Sequence, residues 1–298
     1  MTAAPTPVIV NPTLLRAQRA RTGVRVRIVV TLAVIGLVVV AAVVVPMLYG
    51  YDPVAANLID RLKPPGSTLM DGSTAFLGTD PIGRDLVPDM MAGARVSLVV
   101  GAATLAISGV IGVLLGILAG HFGGWIDTVL MRLADIQLAF PSILLAILMA
   151  AVLGQGVGNV IIVLSISNWV VFARVARSQV LALKNLEYVE AARTLGAGNW
   201  HLMFRTLLPG CVAPILVVTT TQFGQVVLAE SSLSFLGVGV PLGVPSLGST
   251  IHDGLQYLSA QGWWISTFPG VLLLVVVLAF GILGDALRDR FDPRLRSA

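Results

Sequence analysis

The sequence predicts an all-α integral membrane protein, and three observations lead to that fold class. The chain of 298 residues is 56% hydrophobic and only 11% charged, and its mean hydropathy is +0.91. Its 19 Lys and Arg and 15 Asp and Glu are too few to cover the surface of a soluble protein of this size. The apolar residues also occur in runs of about 20, the length that a helix needs to cross the ~30 Å hydrocarbon core. Most of the surface is therefore expected to face lipid.

Six apolar windows predict six membrane-spanning helices. The second window contains Gly109, Gly112, Gly116 and Gly120. This spacing places small residues along one helix face, which lets two helices approach closely in lipid. The predicted spans are residues 28–49, 96–120, 138–153, 157–172, 211–228 and 268–283.

The basic residues predict the orientation of the chain. Arg and Lys concentrate in the N-terminal segment, in the segment after the fourth span and in the C-terminal tail. Such residues are enriched in cytoplasmic loops, and an even number of spans places both termini on one side, so both termini are expected in the cytoplasm. The segment between the first two spans carries more Asp than Lys and Arg, as suits an outside loop. The net charge of +4 therefore reflects topology and gives no reason to expect nucleic acid.

The same distribution divides the chain into five segments. The first span is expected to be an uncleaved anchor, because its apolar run is longer than that of a secretory signal. Residues up to about Gln18 are expected to form a disordered tail. A helix in the outside loop is expected to begin at Asp80, with Pro81 in its first turn. The segments are a cytoplasmic tail (1–27), an anchor (28–49), an extracytoplasmic loop with an amphipathic helix (50–95), a five-helix core containing the loop 185–209 (96–285), and a cytoplasmic tail (286–298).

Several kinds of catalytic and cofactor site are missing from the sequence. No Gly-Lys pair precedes Ser or Thr, so the chain has no phosphate-binding P-loop, and it has no GxSxG elbow for a nucleophilic serine. His121, His201 and His252 lie far apart and form no HExxH zinc motif. The single cysteine, Cys211, excludes an internal disulfide and a cysteine zinc site. We therefore expect no catalytic residue and no bound metal.

The segment 185–209, between the fourth and fifth spans, is predicted to form a helical hairpin on the inside. Gly196 can adopt the left-handed conformation that ends a helix. Asn199 is then expected to cap a second helix that stops at Pro209. The apolar residues of the first helix recur at helical spacing and are Leu186, Val189, Ala192 and Leu195.

Taken whole, this segment resembles the cytoplasmic EAA signature of binding-protein-dependent ABC importer permeases. In that signature Glu-Ala-Ala is followed at set intervals by Gly and then by Leu-Pro, and Thr206 stands where the general pattern favours isoleucine. The resemblance implies that the loop docks on an ATPase subunit, with Glu190 placed to pair with a basic residue of that partner. The alternative is a solvated helical hairpin without a partner. The expected docking residues are Glu190, Ala191, Ala192, Arg193, Gly196, Leu208 and Pro209.

Four further segments resemble the dipeptide/oligopeptide permease group, specifically its C-type subunit. The first segment departs from the group at Pro88-Asp89, where relatives often have Ser-Arg. For this segment we favour a role in shaping the outside loop over contact with substrate. Its motif residues are Gly78, Asp80, Gly83, Arg84 and Asp85. The segments are LGTDPIGRDLVPDMMAGARVSL (77–98), GGWIDTVLMRLADIQLAFP (123–141), ESSLSFLG with PSLG (230–237 and 245–248), and LGDALRDRFDPR (283–294).

Three polar residues on or beside the fifth span are candidates for a solute path or gate. Glu230 follows the apolar run, next to Ser231 and Ser232. Its carboxylate either faces a water-filled path or is a partnered charge at the membrane boundary. Gln222 and Gln225 either hydrogen-bond between packed helices or line the path.

The resemblance implies a permease subunit that forms half of the translocation path of an ATP-driven importer for peptides or a related small solute. The implied partners are a homologous second permease in a heterodimer, two ATPase subunits that carry ATP and Mg, and an extracytoplasmic substrate-binding protein. The chain itself would bind no cofactor and would catalyse no reaction, and it would lie in the inner membrane of a prokaryote. The alternative is a proton- or ion-coupled secondary transporter in which Glu230 is the coupling carboxylate. A membrane enzyme is disfavoured by the missing motifs.

Overall fold

The computed structural model describes residues 12–241, 243–259 and 261–291, and almost all of its secondary structure is helical. The all-α fold class expected from the sequence is confirmed. The helices are α1 (Pro12–Leu48), α2 (Leu86–Phe122), α3 (Gly124–Leu138), α4 (Ser142–Leu153), α5 (Val157–Leu183), α6 (Glu187–Thr194), α7 (Asn199–His201), α8 (Leu208–Phe235), α9 (Leu247–Leu255) and α10 (Trp264–Phe291). A 3₁₀ turn (Leu58–Asp60), a π turn (Leu202–Leu207) and two short strands, β1 (Ser67–Thr68) and β2 (Thr74–Ala75), complete the secondary structure.

Five of these helices are long and apolar enough to cross a membrane, and the pair α3–α4 makes a sixth span if it counts as one broken helix. The pair is bent by 88°. The expected third span therefore begins at Ser142 rather than at residue 138, and α4 alone, about 18 Å long, is too short to cross the bilayer. Pro141 explains the break, because proline disfavours helical geometry in the residue before it and offers no amide hydrogen.

Several helices extend beyond their apolar windows. The helix α2 begins at Leu86, well before the predicted start of the second span, because the Asp85 side chain accepts a hydrogen bond from the Val87 amide at 3.0 Å and caps it. The helix α1 begins at Pro12, so the expected disordered tail is wrong from there onward, and the residues before Pro12 lie outside the described part of the chain. Leu, Ala and Arg dominate this stretch and favour a helix.

The helices α2 and α5 pack closely through glycine, as the spacing predicted. Gly112 lies against the backbone carbonyl of Trp169, and Gly116 lies against that of Ala173, so neither position has room for a Cβ atom. Gly120 packs against the Val180 side chain. This seam fixes α2 and α5 side by side along most of their length.

The helices α2 and α5 run parallel, because Gly112, Gly116 and Gly120 meet successively later residues of α5, and the bundle has two ends. We call the end with residues 49–85, residues 236–241 and 243–246 and α9 the loop end, and the end with residues 184–207 the hairpin end. Residues 50–95, all of which the structure describes, contain no separate amphipathic helix, because residues 86–95 are the first turns of α2. The rest of the segment contains the 3₁₀ turn and a two-stranded antiparallel sheet, in which Ser67 pairs with Ala75.

Two ion pairs hold α3 against α5. Arg177 pairs with Asp127 through two nitrogens, and an Arg174 nitrogen lies 2.6 Å from an Asp135 carboxylate oxygen. These contacts attach the first half of the broken helix to α5.

Candidate functional site

The hairpin between α5 and α8 has the helix, glycine turn and second helix that its sequence predicts. Gly196 has φ +84°, and a Cβ atom there would meet no other atom, so backbone conformation rather than crowding favours glycine. The Ala197 amide donates to the Ala192 carbonyl at 3.1 Å and closes the end of α6. Buried apolar side chains hold the hairpin on the bundle and are Val189, Leu202, Met203 and Leu207 from the hairpin and Ile117, Ala176 and Val180 from α2 and α5.

The second half of the hairpin differs from the prediction at both of its ends. Gly198, not Asn199, occupies the cap position, and the Asn199 Oδ1 atom lies 3.1 Å from Nε2 of His121, at the end of α2. The helix does not stop at Pro209 but passes through the π turn into α8. Pro209 lies in the first turn of α8, where the missing amide hydrogen is tolerated, so it does not end the helix.

Most of the expected docking residues form an exposed surface on the hairpin. Among the described residues the Glu190 carboxylate has neither an ion pair nor a hydrogen bond, so it is available to a partner. Ala192 and Leu208 are half-buried. The exposed ones are Glu190, Ala191, Arg193, Gly196 and Pro209.

Two large apolar side chains also lie on this surface, and the sequence pattern did not identify them. Leu195 is 88% exposed and Trp200 is 75% exposed. The helical spacing placed Leu195 on the buried face with Val189, but the turn at Gly196 directs the chain away before that face can be covered. A tryptophan four residues after the turn glycine, Gly196, was the available signal for Trp200.

Glu230 is fully buried and does not line a path in this structure. Four serine hydroxyls donate to its carboxylate, from three separate elements. Of the two alternatives that its sequence context left open, the structure shows the partnered charge. The donors are Ser97 of α2 at 2.6 Å, Ser231 and Ser234 of α8 at 3.3 and 2.9 Å, and Ser246 at the cap of α9 at 3.1 Å.

The two glutamines of the fifth span have different surroundings. Gln222 donates to the Asn168 side chain at 3.3 Å and so links α8 to α5. Gln225 is exposed on α8. Gln222 therefore has a packing contact, and Gln225 faces outward from this chain.

The motif at residues 78–85 forms a tight turn rather than a helix start. Asp80 Oδ1 accepts hydrogen bonds from the amides of Ile82 and Arg84 at 3.0 and 2.8 Å, and Arg84 Nε donates to Asp80 Oδ2 at 2.7 Å. The helix begins only after Asp85. Gly83 has φ +86° and lies directly against the Asn57 carbonyl, so the turn requires glycine there for two reasons. Asp80 therefore shapes the loop, as we favoured, but by a different geometry.

Gly78 allows the same loop to close on α10. It has φ +85°, and a Cβ atom there would lie 2.7 Å from the Lys63 carbonyl oxygen and 2.8 Å from Trp264 Nε1. That indole nitrogen donates to the Thr79 carbonyl at 3.1 Å. The motif thus joins the loop to the start of α10.

Asp89 is the centre of a second buried network that the sequence pattern did not reveal. Its carboxylate accepts hydrogen bonds from the Tyr51 hydroxyl and, at 3.1 Å, from the Thr250 hydroxyl, and it lies 3.5 Å from a guanidinium nitrogen of Arg84. Burial and the nearby Asp89 charge raise the pKa of Tyr51 above its usual range, which keeps the phenol protonated as a donor. Among the described residues no group of three or more His, Cys, Asp or Glu is placed to hold a metal ion.

Comparison with known proteins gives consistent matches to one kind of protein. A family described as "Binding-protein-dependent transport system inner membrane component" matches residues 112–297. The di/tripeptide transport system permease protein DppC of Pseudomonas aeruginosa is 40% identical over 263 residues, which cover 88% of this chain and 86% of that protein. The oligopeptide transport system permease protein OppC of Bacillus subtilis is 39% identical over 267 residues, which cover 90% and 85%.

Two solved structures show a similar fold at lower identity. A chain of an amino acid ABC transporter aligns with a TM-score of 0.52 and 17% identity, over 68% of this chain and 94% of that one. A chain of the MetNI methionine ABC transporter, in an inward-facing conformation, aligns with a TM-score of 0.51 and 22% identity, over 70% and 96%.

Proposed function

The chain belongs to the family of inner membrane components of binding-protein-dependent transport systems, and on that premise we propose how its two ends work in transport. It is a multi-pass permease subunit of an ABC importer for peptides in the inner membrane of a bacterium. The hairpin end faces the cytoplasm and the loop end faces outward, as the basic residues predict. An ion-coupled transporter, the alternative considered from the sequence, is not supported, because the relatives are ABC permeases.

We propose that the hairpin is the docking element for an ATPase subunit. The observation that carries this proposal is Glu190 on α6, which is exposed and has no ion pair in the described part of the chain, beside the small Ala191 and in front of the Gly196 turn. The ATPase subunits would hold ATP and Mg, and this chain would bind no nucleotide. A homologous second permease would supply the other half of the path, and an extracytoplasmic binding protein would deliver the peptide. Gln225 is a candidate for the path, and Gln222 and Glu230 support the helices beside it.

The packing of the hairpin explains how movement of the ATPase would reach the membrane. Val189 of α6 and Met203 of the π turn are buried against Ile117 of α2 and Val180 of α5. A well-packed apolar contact transmits displacement because it resists compression. Closure of the ATPases would therefore push α6 and tilt α2 and α5 together, since their glycine seam joins them.

The double substitution Glu190→Arg and Gly196→Pro tests the docking proposal in the assembled transporter. We expect the ATPase to be lost on purification and ATP-dependent peptide uptake to fall at least about tenfold, the equivalent of ~1.4 kcal/mol. The reversed charge repels the partner's basic group, and proline cannot adopt the positive φ of residue 196. Asp52→Arg, a charge reversal at an exposed residue of the loop end, is the matched control and should keep the ATPase.

Unchanged association and uptake in the double variant would refute docking through this surface. If both the double variant and the control lose the ATPase, the defect is in folding, and the single variant Glu190→Gln then decides. It keeps the shape of the side chain but removes its charge, so docking through Glu190 predicts weaker ATPase association with normal amounts of folded protein.

A further inference from the structure

Arg95 differs from the other basic residues of the loop end. Residues 49–95 contain four Lys and Arg, and three of them have partners within the chain. Arg95 is exposed and has no hydrogen bond or ion pair among the described residues. The three partnered cations are Arg61 with the Tyr257 hydroxyl, Lys63 with Asp60, and Arg84 with Asp80.

Arg95 lines a groove of about 600 Å³ between the end of α1 and the first turns of α2. The wall is mainly apolar, and its polar hydroxyl, that of Tyr51, already donates to Asp89. Among the residues that the structure describes, the groove therefore offers one unpaired guanidinium group above an apolar floor. The apolar lining residues include Pro46, Met47, Ala92, Val96, Val99 and Pro245.

The apolar runs of α1 and α2 place the groove at an expected boundary between membrane and water. Arg95 directly precedes the apolar run of α2, and α1 ends at Leu48, just before the groove residues Gly50 and Tyr51. Both walls continue into exposed apolar surface, since Met47 is 72% exposed and Val99 is 53% exposed. An occupant of the groove would thus reach it from the bilayer.

The chemistry of the groove favours a lipid over a peptide. A guanidinium binds phosphate or carboxylate with two parallel hydrogen bonds. A peptide would bring backbone amides that find few partners on this apolar wall, and unpaired amides are costly. An acyl chain has no such groups. We propose that Arg95 binds the phosphate of a membrane phospholipid, with an acyl chain lying along Met47, Val96 and Val99.

A lipid in this position would join α1 to α2 beside the buried Asp89 network. The helix α1 is the least buried of the candidate spans, although it packs against α10 and α2. The phosphate on Arg95 and the acyl chain between the two helices would add a further contact between α1 and α2. This proposal concerns the attachment of α1 and does not depend on the docking of the ATPase.

Native mass spectrometry of the purified transporter, after delipidation and addition of phosphatidylglycerol, tests the site. We expect the wild-type protein to retain one phospholipid more than Arg95→Gln, or to bind phospholipid at least tenfold more tightly. The affinity of Arg95→Lys should lie between those of the wild type and Arg95→Gln. Arg132→Gln is the matched control, because Arg132 is also exposed and without an ion pair in the described part of the chain. Its lipid retention should equal that of the wild type.

A second variant keeps the test valid if Arg95→Gln folds poorly. Val99→Trp fills the groove and leaves Arg95 in place, and it should also lose the bound lipid. Equal lipid retention in the wild type and in both groove variants would overturn the proposal. Protection against unfolding by inorganic phosphate alone, equal to that by lipid, would overturn the role of the acyl chain. Uptake that no longer distinguishes free from amidated peptides in Arg95→Gln, with lipid retained, would assign the groove to the substrate instead.

Discussion

The two ends of the bundle differ in how many of their acidic residues are buried, although the loop end also exposes Asp52 and Asp71. The loop end buries four carboxylates, and each accepts hydrogen bonds from several donors. The hairpin end exposes its two glutamates, and neither has an ion pair among the described residues. The buried residues are Asp60, Asp80, Asp89 and Glu230, and the exposed ones are Glu187 and Glu190.

This difference separates residues that hold a shape from residues that are available to a partner. A buried carboxylate is tolerated only when it is paired or hydrogen-bonded, so it fixes the groups around it. An exposed carboxylate costs little and constrains little. The loop end is therefore built from polar networks, whereas the hairpin rests on the bundle through apolar contacts and keeps its charges free. The same change of residue should affect stability at one end and coupling at the other.

The largest expected effect is that of Glu230→Ala. The substitution leaves four serine hydroxyls without their acceptor and opens a cavity between α2, α8 and α9, so we expect a loss of about 3 kcal/mol in the free energy of unfolding. Glu187→Ala, at an exposed residue of the hairpin, should change it by less than about 0.5 kcal/mol. Equilibrium unfolding of the two variants checks the comparison. Equal stability of the two variants would contradict the structural role of Glu230.

Substitutions of two glycines with positive φ, one at each end, are expected to cause intermediate losses in the free energy of unfolding. Gly83→Ala combines an unfavourable backbone conformation with a clash against the Asn57 carbonyl, so we expect a loss of more than about 2 kcal/mol. Gly196→Ala meets no atom and should cost only the conformational term of about 1 kcal/mol. Thermal unfolding in parallel measures both. If Gly196→Ala were the more damaging of the two, the hairpin would be under a packing constraint that the structure does not show.

The smallest expected effect is a pH dependence of stability that arises from Asp60 at the loop end. The hydrogen bond from Lys63 holds the pKa of Asp60 below its usual value, aided by the Met70 amide. The folded pKa is thus below the unfolded value of about 3.9, so the stabilisation is complete above that pH and is lost as the pH falls through the folded pKa. Below about pH 4 the thermal stability of the wild type should therefore fall. That of Asp60→Asn should fall less, because this variant lacks the carboxylate at every pH. Parallel pH profiles of thermal unfolding would contradict this role of Asp60.

The sequence predicted the membrane helices and the hairpin better than it predicted their ends. Apolar runs and the glycine spacing are local signals, and both were confirmed. The helix start expected at Asp80 was wrong, because residues 80–85 form a turn in which Gly83 lies against the Asn57 carbonyl, and α2 begins only at Leu86. Pro209 was expected to end a helix, but its position in the first turn of α8 lets the chain continue.

The sequence by itself determined that this protein lies in lipid, that α2 can pack closely and that the hairpin has the pattern of an ATPase-docking loop. The tertiary structure alone decided what the polar residues contact. Glu230 meets Ser97 from 133 positions away, and Asp89 meets Thr250 from 161 positions away. Composition and periodicity depend on neighbours along the chain, whereas a buried charge depends on the donors that folding brings to it. For that reason the sequence could nominate Glu230 but could not show that its carboxylate joins three elements of the loop end.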